Sequence, residues 1–247
     1  MTTPPIVDPR RWRAAVEELR TEEKALTRQL DVLAAKRRRL PMVELAVDYR
    51  FTGPGGEASL AELFAGRPQL IVYHFMLPPD AHHICEGCAM FLDQLPHLAH
   101  LHARDTSLAV VSRAPFDQLE AVRARMGWTV PWYSSYGSGF NDDMGVTTDT
   151  GESFALSVFL REGDRIYRTY VTEARGVETL GTPWALLDLT PYGRQEAWQD
   201  TPEGRPQSAP YAWWRLHDDY TATDGHDRSV DTHSDQATLF GDAEAAR

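Results

Sequence analysis

The sequence predicts an α/β domain, with a central sheet of mixed strand direction flanked by helices and a helical extension at the N-terminus. Three observations carry this. Leu70-Ile71-Val72-Tyr73-His74-Phe75-Met76-Leu77 is an apolar run of strand length, rich in β-branched and aromatic residues. It lacks alternation, the pattern of a strand buried on both faces. Strand-like and helix-like segments then alternate as far as Gly145. Ser157-Val158-Phe159-Leu160 and Ile166-Tyr167-Arg168-Thr169-Tyr170 finally flank Arg161-Glu162-Gly163-Asp164, a β-hairpin that adds antiparallel strands to the parallel ones.

Residues 1–41 form the extension. A helix over 9–40 opens at Asp8-Pro9, an N-cap followed by proline at the first helical position, and Pro41 ends it. Trp12, Leu19, Leu26, Leu33 and Leu40 recur every seven residues, with Val16 and Leu30 beside them and Glu23 and Arg37 interrupting that second row. Such a seam fits a short coiled coil that makes a homodimer, or an amphipathic helix laid on its own domain. Lys36-Arg37-Arg38-Arg39 suits the negative end of the helix dipole.

The main domain is expected over 42–220. Tyr49-Arg50-Phe51 reads as a strand, Gly53-Pro54-Gly55-Gly56 as a turn, and Ser59 as the cap of a short helix through Phe64. After the buried strand, Leu108-Ala109-Val110-Val111-Ser112 is a second strand, Phe116–Met126 a helix, and Trp128–Tyr133 a third strand interrupted by Pro131. Gly137–Gly145 reads as a glycine-rich turn with a short helix, Ala174–Leu187 as partly helical, and Ala212–Tyr220 as a last short helix whose Trp pair packs on the body. Residues 221–247, with six acids against two arginines and few aromatics, read as a disordered acidic tail.

Composition narrows the function. With 25 Lys and Arg against 36 Asp and Glu, the net charge of −11 makes nucleic acid and anionic membranes poor partners. No apolar run reaches membrane-spanning length, and the first twenty residues have no apolar core of a secretion signal, so a cytoplasmic protein is expected. In a reducing cytoplasm a Cys-x-x-Cys is a catalytic or metal-binding element rather than a structural staple.

The chain has two cysteines, and both lie in Cys85-Glu86-Gly87-Cys88, directly after the buried strand and Pro78-Pro79. Ala89-Met90-Phe91-Leu92 and Leu95 follow as the apolar side of a helix. Strand, turn, Cys-x-x-Cys, helix is the arrangement of a thioredoxin-type redox site. Residues three apart share a helix face, so the two sulfurs can close a disulfide. At the helix start Cys85 faces unpaired N–H groups and the positive dipole end, which favour its thiolate. Cys85 is therefore expected to be the more exposed and more acidic thiol, and Cys88 the resolving one.

Several segments carry a family resemblance: YHFM before the cysteines, VVSRAP at 110–115, RMGW at 125–128, WYSSYGSGFN at 132–141, SVFLREG at 157–163, LLDLTPYGR at 186–194 and AWWRLHDDY at 212–220. Over about residues 10–220 the chain resembles the bacterial thioredoxin-like family catalogued as domain of unknown function 899 (DUF899). The resemblance implies a thioredoxin-like fold near the peroxiredoxin branch. It implies no particular reaction. Family members usually carry Cys-Pro-Ser-Cys or a similar motif behind a glycine, where this chain has His82-His83-Ile84-Cys85-Glu86-Gly87-Cys88. Phe154-Ala155-Leu156 stands where thioredoxin-like proteins place a cis-proline beside the dithiol, and the Pro-x-x-x-Thr-x-x-Cys signature of a peroxiredoxin is missing.

Three readings stay open. The first is a thiol–disulfide oxidoreductase for a small-molecule or protein thiol or disulfide, needing no cofactor. Cys85 attacks, Cys88 resolves, His82 or His83 assists the thiolate, and Arg113 and Tyr136, on loops after strands, hold substrate. The second is a copper or zinc protein, or a copper-dependent oxidase, on His82, His83, Cys85 and Cys88, with His74 or a distant residue completing the shell. His97, His100 and His102 at the far end of the cysteine helix read as a surface feature. The third is a non-catalytic binding domain that uses the N-terminal helix as its interface.

Overall fold

A computed structural model describes residues 4–46 and 48–220. Its elements run α1 (Pro9–Arg37), β1 (Val43–Glu44), β2 (Arg50–Gly53), β3 (Gly56–Ser59), α2 (Leu60–Leu63), β4 (Gln69–His74), α3 (Glu86–Asp93) and α4 (Ala99–His102). They continue β5 (Thr106–Ser112), α5 (Phe116–Arg125), β6 (Trp132–Ser134), α6 (Phe140–Met144), β7 (Thr147–Thr148), β8 (Gly151–Glu152), β9 (Ala155–Glu162), β10 (Arg165–Glu173), α7 (Arg175–Glu178) and α8 (Thr182–Leu187).

Eight strands form one sheet in the order β1-β10-β9-β4-β5-β6-β2-β3. β4, β5 and β6 are parallel neighbours, β9 runs antiparallel to β4, and β9 and β10 form the expected hairpin. A β-α-β unit with a β-hairpin on its other edge and a helix after it is the thioredoxin-like arrangement. β4 sits mid-sheet, and its residues divide between two cores. Tyr73, with Phe75 just beyond the strand, joins Phe91, Trp132 and Trp214 on the α3 side. Leu70 and Val72 join Phe51, Phe140 and Phe159 on the other. His74 falls on that second side, 1% exposed, with Nε2 2.9 Å from Ser157 Oγ. Burial, with Arg168 nearby, drives its pKa down to about 3, so it is a neutral core residue.

Local signals explain most boundaries. The Asp8 carboxylate accepts from Arg10 N and Arg11 N at the start of α1. Ser59 and Glu62 close a reciprocal capping box on α2. Gly145 ends α6 at φ 75°, a backbone state that glycine adopts without strain. Two expectations need correction. The third strand begins only at Trp132, because Pro131 has no N–H to pair, although its carbonyl accepts from Val110 N. Residues 212–220 form successive turns instead of a helix, because neighbouring side chains are anchored to different parts of the body. Trp213 Nε1 donates to Glu196, Trp214 packs on Gly87, and Asp218 pairs with Arg125. The short strand β1, helix α4 and the β7–β8 hairpin were not expected. The acidic tail lies outside the described residues. Among those residues no helix is long and apolar enough to cross a membrane.

Candidate functional site

The loop after β4 delivers Cys85 to the N-cap of α3, at φ −61° and ψ 114°, and Cys88 one turn in. Cys88 N donates to Cys85 Sγ at 3.4 Å, so the sulfur takes up one of the helix's unpaired N–H groups. Cys85 is half-buried, whereas Cys88 is 1% exposed. Both are free thiols. Tyr73, in β4, stacks on Phe91 of α3 with ring centroids 4.5 Å apart, which brings its hydroxyl to Cys88.

The two sulfurs titrate as a pair, and the charge falls on the buried one. Burial alone would raise Cys88. Hydrogen bonds from the Cys85 thiol, the Tyr73 hydroxyl and the Met76 backbone N–H outweigh it, and the Cys88 pKa ends below the ordinary thiol value. Cys85 is pushed well above its ordinary value by the hydrogen bond it gives Cys88, then by burial and by the charge on Cys88; the Cys88 N–H opposes this less strongly. Burial, with the sulfur charges behind it, raises Tyr73 well above the usual phenol range, so its hydroxyl stays protonated and donates. The expected order of exposure holds. A helix N-terminus offers Cys85 one N–H, while Cys88 collects three donors.

The sulfurs open onto a cavity of about 250 Å³. Tyr73, Met76, Phe91, Phe154, Val177, Trp184 and Trp214 line it. Gly87 explains the middle of the Cys-x-x-Cys. A Cβ there would lie 2.4 Å from Cζ3 of Trp214, so only glycine lets the indole sit on the first turn of α3. Glu178 lies at the back, with Oε2 2.6 Å from Arg194 Nη1, and both side chains are 8% exposed. Glu173 and His83 stand at the rim, with His83 Nε2 3.3 Å from Glu86 Oε2.

The other expected site residues fall elsewhere. Arg113 is 2.8 Å from Glu152, which also accepts from Asn141 of α6, and it does not line the cavity. Tyr136 is 61% exposed and is likewise outside the lining. His82 is exposed, and among the described residues no three His, Cys, Asp or Glu side chains gather as a metal-ligand group. The sequence reading placed Phe154 beside the dithiol but missed Tyr73, Phe91, Trp184 and Trp214. Only the glycine between the cysteines and the Trp213-Trp214 pair hinted at a covering ring.

Fold and site together define a thioredoxin-like protein with a dithiol at the start of the helix that follows its central strand. The chain belongs to the family described as bacterial protein of unknown function (DUF899), whose model matches residues 1–220. No curated protein matches it. Among similar solved structures is a cysteine-to-serine mutant of PrxQ from Xylella fastidiosa, 12% identical, with a TM-score of 0.43 over 57% of this chain and 91% of that one. Another is the bacterioferritin comigratory protein of Xanthomonas campestris, described for alkyl peroxide reduction, at 15% identity and a TM-score of 0.41 over 57% and 94%. A third is the reduced 2-Cys peroxiredoxin of Plasmodium vivax, at 16% and 0.39 over 55% and 82%.

Proposed function

We propose that this protein is a thiol–disulfide oxidoreductase whose working group is the Cys85–Cys88 dithiol. The observation that carries the reading is the pair of free thiols, Cys85 at the N-cap of α3 and Cys88 one turn in, beside a cavity that admits a substrate. Cys85 passes its proton to the Cys88 thiolate and attacks one sulfur of a substrate disulfide. The substrate S–S bond breaks, one thiolate leaves, and a mixed disulfide forms on Cys85. Cys88 gives its proton to that leaving thiolate and attacks Cys85 Sγ. The mixed disulfide breaks and releases the second thiolate. Two electrons pass from dithiol to substrate, and an external dithiol donor restores the protein.

The test is a thiol count under denaturing conditions, before and after mild oxidation. Both thiols should disappear together and return with dithiothreitol, while Cys85→Ser and Cys88→Ser each keep one. Two thiols that survive an oxidant able to consume free dithiothreitol would end this reading. Metal analysis of protein purified under reducing conditions belongs to the same experiment. Copper or zinc bound in the parent and lost from both variants would favour the metal reading instead.

We also infer that α1 joins two copies of the chain. The support is that α1 buries none of its own residues, while Trp12, Leu19, Leu26, Leu30 and Leu33 remain 43–59% exposed along one seam.

A further inference from the structure

Resting on the oxidoreductase reading, we propose that the cavity beside Cys85 and Cys88 selects a small, uncharged, aromatic or aliphatic disulfide over the disulfides of folded proteins.

Size comes first. A volume of about 250 Å³ lies just below the range of about 300–1,000 Å³ usual for small-molecule sites, so it suits the short arms of a small disulfide. A peptide cannot add to the sheet here, because β9, the strand next to the cysteines' own, is paired on both edges, with β10 and with β4.

Polarity comes second. Phe91, Phe154, Val177, Trp184 and Trp214 give apolar walls. No lysine or arginine lines the cavity. Glu178 is already neutralised by Arg194. Glu173 at the rim is therefore a barrier to anions, and an anionic disulfide would lose its hydration with no cation to receive it.

The chemistry within the cavity is the exchange already written: one substrate S–S bond breaks, the protein S–S bond forms, and two product thiols leave.

Two experiments separate this inference from the reading it rests on. The first needs no redox chemistry. Dipyridyl sulfide, a neutral aromatic thioether with two ring-nitrogen acceptors, cannot exchange with thiols, and its binding to the full chain is followed by calorimetry. Saturable binding is expected, weakened roughly tenfold in Phe154→Ala, which removes one apolar wall of the cavity. The second compares rates of reduction of dipyridyl disulfide, the dianionic dithiobis(nitrobenzoate), glutathione disulfide and insulin, each divided by its rate with free dithiothreitol. The neutral disulfide should lead, insulin should come last, and Glu173→Gln should narrow the gap to the dianion. Absent thioether binding, or normalised rates equal across the panel, would overturn the pocket inference while leaving the dithiol chemistry standing. Loss of all exchange together with intact thioether binding would overturn the dithiol reading and spare the cavity.

Discussion

Tyr73 is one of the donors that favour the thiolate of Cys88. Its ring is fixed against Phe91, and its buried hydroxyl has no route to losing its own proton, so it acts as a permanent donor to Cys88. Removing that donor in Tyr73→Phe takes stabilisation from the thiolate and none from the thiol. The pKa of the pair must therefore rise, because the charged form alone has lost a partner. Below the new pKa less thiolate is present at any given pH. Alkylation by iodoacetamide at neutral pH should slow by roughly tenfold, the equivalent of one hydrogen bond to a charged group. The whole rate–pH curve should move to higher pH with its plateau unchanged. A curve that stays in place would show that Tyr73 does not hold the charge, and a lowered plateau would show that its role is steric.

At the scale of single elements α1 stands apart, since a helix of 29 residues with no buried residue cannot draw its stability from its own domain. On the proposed dimer, a second copy would supply what is missing. Replacing Leu26 and Leu30 by glutamate in the full chain puts charge in the middle of the seam, where each leucine is over half exposed in the single chain. Folding of the main domain should be unaffected. Each buried leucine is worth roughly 1.5 kcal/mol or more, so four lost per dimer should leave a monomer at micromolar concentration in sedimentation. A parent that already sediments as a monomer there would end the inference. The helix, its Asp8 cap and its seam were all legible in the sequence, as were the Ser59 cap, β4, β5 and the closing hairpin. Each is specified by neighbours within a few residues. The misreadings came from one local signal given too little weight, Pro131 inside the third strand, and from one segment governed by distant contacts, 212–220.

Across the whole molecule the site is finished by chain more than a hundred residues after the cysteines. The dithiol could be read from spacing, because Cys85 and Cys88 answer to one helix. The roof could not, because the contact between Gly87 and Trp214 leaves no periodic trace in either segment. The same limit explains Arg113, which looked free beside its strand until Glu152, far along the chain, was seen to engage it. Glu196 holds the roof together. It is 1% exposed and accepts from Trp198 Nε1 at 2.5 Å, Trp213 Nε1 at 2.7 Å and Tyr211 N at 3.2 Å. It thus gathers residues 198, 211 and 213 around one carboxylate and sets Trp214 over the dithiol. Arg194, between Glu178 and Asp188, ties the start of the same segment to α7 and α8. Glu196→Gln exchanges one acceptor oxygen for an NH₂ group that must face another donor. The global unfolding free energy should fall by about 2–3 kcal/mol, the scale of hydrogen bonds to a charged group. A loosened roof should also expose the sulfurs, so that alkylation at pH 9 speeds up and protease cuts between 190 and 215 at concentrations the parent resists. Reduction of insulin, slow in the parent, should then rise towards that of small disulfides. Lower stability with unchanged alkylation and cleavage would make Glu196 an ordinary buried anchor and place the gate to the dithiol elsewhere in the fold.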